Sequence, residues 1–116
     1  MSVVIYHNPR CSKSRETLAL LEEKGITPTI IKYLDDTPSV EQLHTLQQQL
    51  GFAAVRDMMR TKEALYKELA LGDASVTDAQ LFEAMHANPK LIERPIVVNG
   101  DKAAMGRPPE NVLTVL

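Results

Sequence analysis

The 116-residue chain has a single cysteine, Cys11, so no disulfide can close within it, which fits a reducing compartment. No run approaches the ~20 apolar residues of a membrane span. The opening "MSVVIYHNPR" lacks both the basic n-region and the long apolar stretch of a signal peptide. An excess of positive charge is missing too. Thirteen Lys and Arg against fifteen Asp and Glu leave a net charge of −2, which argues against a protein held to nucleic acid by bulk electrostatics. Repeats, low-complexity tracts and linkers are absent. These absences lead to the expectation of a cytoplasmic, single-domain globular chain, 44% hydrophobic and 24% charged, large enough for one core.

What is present reads as alternating elements. "VVIY" (Val3 to Tyr6) is a short apolar run ending in the turn signal Asn8-Pro9, so it predicts a buried strand. A helical pattern follows from Lys13 to Lys24, with Leu18 and Leu21 on the face of Ser14 and with Gly25 where a stop is expected. "PTIIKYL" predicts a second strand, completing a βαβ unit with a parallel pair. The middle is predicted helical: Ser39 with Gln42 and Thr77 with Gln80 form capping-box patterns, and "AAVRDMMR" and "KEALYKELA" consist of helix formers. "RPIVVNGDKAAM" predicts a hairpin around Asn99-Gly100, and Pro108-Pro109 with Glu110 open a terminal helix. Without the middle block the order is β-α-β-β-β-α or β-α-β-β-α, depending on how "LIER" is counted. Either is the thioredoxin-like α/β plan, as one domain over 1–116 with a helical insertion at about 39–88.

Chemistry concentrates in "YHNPRCSKSRET". A thiol is nucleophilic as its thiolate, and an ordinary cysteine is mostly protonated at neutral pH. Cys11 stands at the expected helix N-terminus, where unpaired N–H groups and the dipole favour an anion. Arg10, Lys13 and Arg15 add positive charge, and His7 can donate a hydrogen bond or carry charge nearby. The bland alternative is a small buried hydrophobe; in a strand-to-helix turn beside three cations it is the weaker reading. More absences narrow the chemistry. Position 14 is Ser, so there is no C-x-x-C and no resolving thiol; position 17 is Thr, so there is no C-x5-R phosphatase loop. Cys11 with the scattered His7, His44 and His86 matches no zinc spacing, and glycine-rich phosphate loops are lacking.

With these residues in view, the chain resembles the glutaredoxin-coupled arsenate reductase family (ArsC-like). "YHNPRCSKSRET" is similar to the signature around that family's catalytic cysteine, and "YLDDTPS", "MMRTKEALYKEL", "NPKLIERPIVV" and "GRPPENVL" extend the match in order along the chain. The sequence ends at Leu116, directly after the terminal helix, as in a shorter YfgD-like branch. The resemblance implies the thioredoxin/glutaredoxin-like fold with a helical insertion, Cys11 as nucleophile, and Arg60, Arg94 and Arg107 as oxyanion ligands. It implies His7, Ser14 and Arg15 as tuners of the thiolate and Pro95 as a cis-proline candidate. Guanidinium forks suit a tetrahedral oxyanion because they bind two oxygens at once. The implied reaction reduces arsenate to arsenite through a thiol–arsenate adduct. Glutathione is co-substrate and glutaredoxin electron donor, with no bound cofactor, no metal, and neither nucleic acid nor membrane as partner; a monomer is expected. Two other readings share the fold. An Spx-like regulator binding RNA polymerase often carries the C-x-x-C that Ser14 removes here. A monothiol glutaredoxin-like oxidoreductase would act on another substrate, and fits the insertion and three distant arginines less well.

Overall fold

The computed structural model describes residues 2–116. The chain divides into two compact units, one from Thr37–Glu93 and the other from the residues on either side of it. No helix among the described residues is long and apolar enough to cross a membrane.

The flanking unit carries a four-stranded mixed sheet in the order β2-β1-β3-β4. Strand β1 (Val3–Tyr6) leads through helix α1 (Ser12–Glu23) to β2 (Thr29–Ile31), and β1 and β2 run parallel, with Ile5 opposite Ile30. Strands β3 (Ile96–Asn99) and β4 (Lys102–Met105) form the hairpin; β3 is antiparallel to β1, with Val97 opposite Ile5. Ile5 and Val97 pack with Leu21 of α1 and Val112 of the C-terminal segment into a buried apolar core, joined by Leu18 and Ile26. Alternation along β1 and the i, i+3 spacing on α1 thus aim at one layer. The α1 helix stops at Gly25, whose φ of +78° an L side chain rarely adopts.

In this unit three elements differ from the sequence expectation. The strand in "PTIIKYL" is only three residues long, because Asp35 and Asp36 both donate backbone N–H groups to the Lys32 carbonyl and turn the chain away. In the hairpin Asn99 still pairs with Lys102, so the two turn residues are Gly100 and Asp101. Gly100 takes the positive φ, +66°, at the first turn position, and Asn99 Nδ2 donates to the Val115 carbonyl at 2.7 Å. The terminal helix is a 3₁₀ segment over Pro109–Val115. Its two leading prolines lack N–H donors, and its first bond, Asn111 N–H to Pro108 O, already has the three-residue spacing.

The Thr37–Glu93 unit holds α2 (Val40–Leu50), α3 (Ala64–Glu68) and α4 (Asp78–Ala87). Both predicted capping boxes form: Ser39 with Gln42, and Thr77 with Gln80, each with reciprocal side-chain and backbone bonds. Leu43, Leu46, Leu81 and Met85 are buried. "AAVRDMMR", expected helical, is a 3₁₀ turn over Val55–Met58 that gives way to extended backbone. There Met59 bridges Ile92, Arg60 N–H donates to Leu91 O at 2.7 Å, and Glu93 N–H donates to Met58 O at 2.9 Å. Pairing with the "LIER" segment overrides local propensity, and that segment forms this bridge instead of a sheet strand.

Candidate active site

The β1–α1 connection is a tight turn. Cys11 N–H donates to the Asn8 carbonyl and Arg10 N–H to Asn8 Oδ1, each at 3.0 Å. Cys11 is the last extended residue (φ −93°, ψ 125°) before α1, and its carbonyl accepts the Arg15 N–H. Local chemistry therefore sets Cys11 at the helix N-terminus, and in the fold the residue is 7% exposed. Arg15 Nη1 reaches back to the Pro9 carbonyl at 3.0 Å and braces the turn.

Beneath the turn, His7 and Ser14 are both buried. His7 Nδ1 and Ser14 Oγ share a hydrogen bond of 2.7 Å, and the same oxygen accepts the Asn8 N–H at 3.0 Å. Burial, followed by the charges of Lys32 and Arg15, holds His7 below the ordinary imidazole value, so it is neutral near pH 7. Ser14, standing where a dithiol motif would have its second cysteine, thus ties the histidine and the turn to the helix.

The distant arginines arrive on the strands. Arg94 precedes β3 and Arg107 follows β4, and the hairpin register brings these ends together. Arg107 Nε donates to the Arg94 carbonyl at 2.9 Å, while Arg107 Nη2 lies 3.8 Å from Cys11 Sγ. The Arg94–Pro95 peptide bond is cis, where the resemblance set a cis-proline, and so is Arg107–Pro108.

Burial pushes the Cys11 thiol up, but the Ser14 N–H, the Arg94 charge, the Lys13 N–H and the Arg107 charge together outweigh it and hold it below its ordinary value. Cys11 makes no conventional capping hydrogen bond; the N–H groups act by favouring negative charge on sulfur. The cations that matter to the sulfur are Arg94 and Arg107. Among the sequence neighbours, Lys13 pairs with Glu16 at 3.5 Å, and the charge of Arg15 bears on His7.

Arg60 belongs to the Thr37–Glu93 unit. There its Nη1 pairs with Glu63 Oε2 at 3.1 Å, and Lys90 approaches the other Glu63 oxygen at 3.9 Å. Among the described residues, no group of three or more His, Cys, Asp or Glu is placed to hold a metal ion.

The ArsC family model matches residues 6–115. The chain belongs to the ArsC family. An arsenate reductase from Haemophilus influenzae is 59% identical over 116 residues, covering the whole of both chains. The uncharacterized protein YfgD of Escherichia coli is 54% identical over 98% of this chain and 96% of its own. Among solved structures, an arsenate reductase from Vibrio cholerae superposes with a TM-score of 0.99 at 66% identity, covering 100% of this chain and 98% of that one. The sheet order and the helix after β1 are those of the thioredoxin-like ArsC fold, with Cys11 at the mouth of α1.

Sequence reasoning assigned no role to Thr17, Gly106 or Asn111. Asn111 Nδ2 donates to the Arg107 carbonyl at 3.0 Å, and Gly106, which precedes Arg107, leaves no room for a Cβ against Thr17. The only sequence signal for them is a glycine standing directly before Arg-Pro-Pro.

Proposed function

We propose that this ArsC protein reduces arsenate to arsenite with Cys11 as nucleophile and Arg94 and Arg107 as oxyanion ligands. The supporting observation is a lone thiol at a helix N-terminus with a guanidinium nitrogen 3.8 Å from its sulfur, in a family whose similar members bear the name arsenate reductase. Resemblance alone assigns Arg60 to the same anion.

In this reading the Cys11 thiolate forms a sulfur–arsenic bond as one arsenate oxygen leaves, protonated, as water. The arginines offset the charge that accumulates when an anion attacks an anion. The thiol of glutathione then displaces a second oxygen as water, leaving arsenic(V) bound to two sulfurs. A glutaredoxin thiolate attacks the glutathione sulfur, and the sulfur–arsenic electron pair returns to arsenic. Arsenic(III) results, and a glutathione–glutaredoxin disulfide departs. Water finally displaces arsenite from Cys11 and regenerates the thiol. With one cysteine in the chain, both electrons must come from outside thiols, so no resident cofactor is required.

The test is arsenate-dependent NADPH consumption with glutathione, glutathione reductase and glutaredoxin. Native protein is expected to turn over, Cys11→Ser to be inactive, and Arg94→Ala to lose about 10²–10³ in kcat/KM. Folded native protein without arsenate-dependent turnover would overturn the proposal.

A further inference from the structure

Gly106 links the end of β4 to Arg107, and its φ is not positive. Backbone conformation therefore does not demand glycine here; space does. A Cβ at this position would lie 2.6 Å from Thr17 Oγ1, 2.7 Å from Pro95 Cγ and 3.3 Å from Pro95 Cδ.

Neither neighbour can give way easily. Thr17 is completely buried on α1, and its hydroxyl is committed to the Lys13 carbonyl at 2.8 Å. The Pro95 ring is rigid, and its carbonyl accepts the Gly106 N–H at 2.9 Å. The backbone at Gly106 is thus drawn against Pro95 on one side and the second turn of α1 on the other. Any side chain would push it off by the better part of an ångström.

We infer that Gly106 is a positioning residue whose missing side chain sets the distance between the Arg107 guanidinium and the Cys11 sulfur. Arg107 directly follows the residue that leaves no room for a Cβ against Thr17 of α1, the helix whose N-terminus presents the sulfur. Closing that contact brings Nη2 to 3.8 Å from Sγ while Nε stays on the Arg94 carbonyl. A methyl group at Gly106 retracts Arg107 from the thiol without touching either. Misplacements of this size in a binding site cost up to about a hundredfold in rate.

The test compares thiolate absorbance titrations of native protein, Gly106→Ala, Arg107→Ala and the double variant, each checked for folding by circular dichroism. Gly106→Ala is expected to raise the midpoint toward that of Arg107→Ala. The double variant should match Arg107→Ala alone, because the glycine acts through the arginine. If Gly106→Ala does not fold, Thr17→Ala with Gly106→Ala takes its place: it removes the nearest obstructing atom, but Pro95 Cγ still bars the methyl, so the midpoint should again rise. A native midpoint in either folded variant, or additive shifts in the double variant, overturns the inference. The activity consequence, a rise of about tenfold or more in KM for arsenate, rests on the proposed function. The titration does not, so failure of one is distinguishable from failure of the other.

Discussion

The two units of this chain hold their chemistry at different ranges. In Thr37–Glu93 the helix caps and the Arg60 ion pair are short in sequence, and such long-range bonds as Arg60 N–H to Leu91 O join backbone to backbone. Ser39 meets Gln42, Thr77 meets Gln80, and Arg60 finds its counter-charge at Glu63, three residues on in each case. In the sheet-bearing unit the decisive contact, Arg107 to Cys11, joins residues 96 positions apart. Short-range bonds make helices that any tertiary setting can use. Only a sheet with a fixed register can bring two strand ends to one sulfur.

The sharpest way to break this contrast is to remove the long-range partner. Arg107→Ala should lower kcat/KM for arsenate by about 10²–10³ and raise the Cys11 titration midpoint. The linkage has a definite sign. The fold depresses the Cys11 pKa, so thiolate formation adds stability that is fully present above the unfolded thiol value and is lost as pH falls through the folded one. In Arg107→Ala the rise in stability with alkaline pH should shrink, as read by urea midpoints across that range. An unchanged midpoint and pH profile would show that the helix terminus suffices without the distant charge.

A core change in the other unit should act on stability and leave the thiol alone. Met85 is wholly buried in α4, and Met85→Ala should destabilise by about 2–5 kcal/mol in urea unfolding. The thiol titration midpoint at low urea should stay native; a clear shift would join what the comparison separates.

The smallest effect tests the short-range bonds themselves. Thr77→Ala opens one capping box, and about 1 kcal/mol of stability should go with it, without change in thiol titration. A loss beyond about 2 kcal/mol would mean that the cap does more than close a helix end.

Legibility followed the range of the bonds and not the unit they lie in. The Tyr6–Thr17 stretch was readable because each step is local: apolar strand, Asn-Pro turn, thiol at the helix start. Both capping boxes were readable for the same reason. "AAVRDMMR" was not, because its extended stretch is imposed by hydrogen bonds to Leu91 and Glu93, more than thirty positions along the chain. Helix propensity, worth tenths of a kilocalorie per residue, cannot outweigh such pairing. The C-terminal 3₁₀ segment escaped because prolines announce a helix start but not which hydrogen-bond spacing follows. Thr17 and Gly106 escaped because steric exclusion leaves no mark on a sequence beyond a small residue.

The amino-acid order by itself determined where the lone thiol stands: at the mouth of a helix, with no second cysteine in the chain. It also settled the capped helices and the hairpin, since each depends on residues a few positions apart, and the βαβ order, which the pattern of apolar runs and turn signals marks. Tertiary structure alone decided which cations the sulfur feels. Arg10, Lys13 and Arg15 are neighbours in the chain, yet the charges that lower the thiol are those of Arg94 and Arg107. Coulombic interaction depends on distance in space, and that distance is set by the register of β3 on β4 and by the bare backbone of Gly106 against α1.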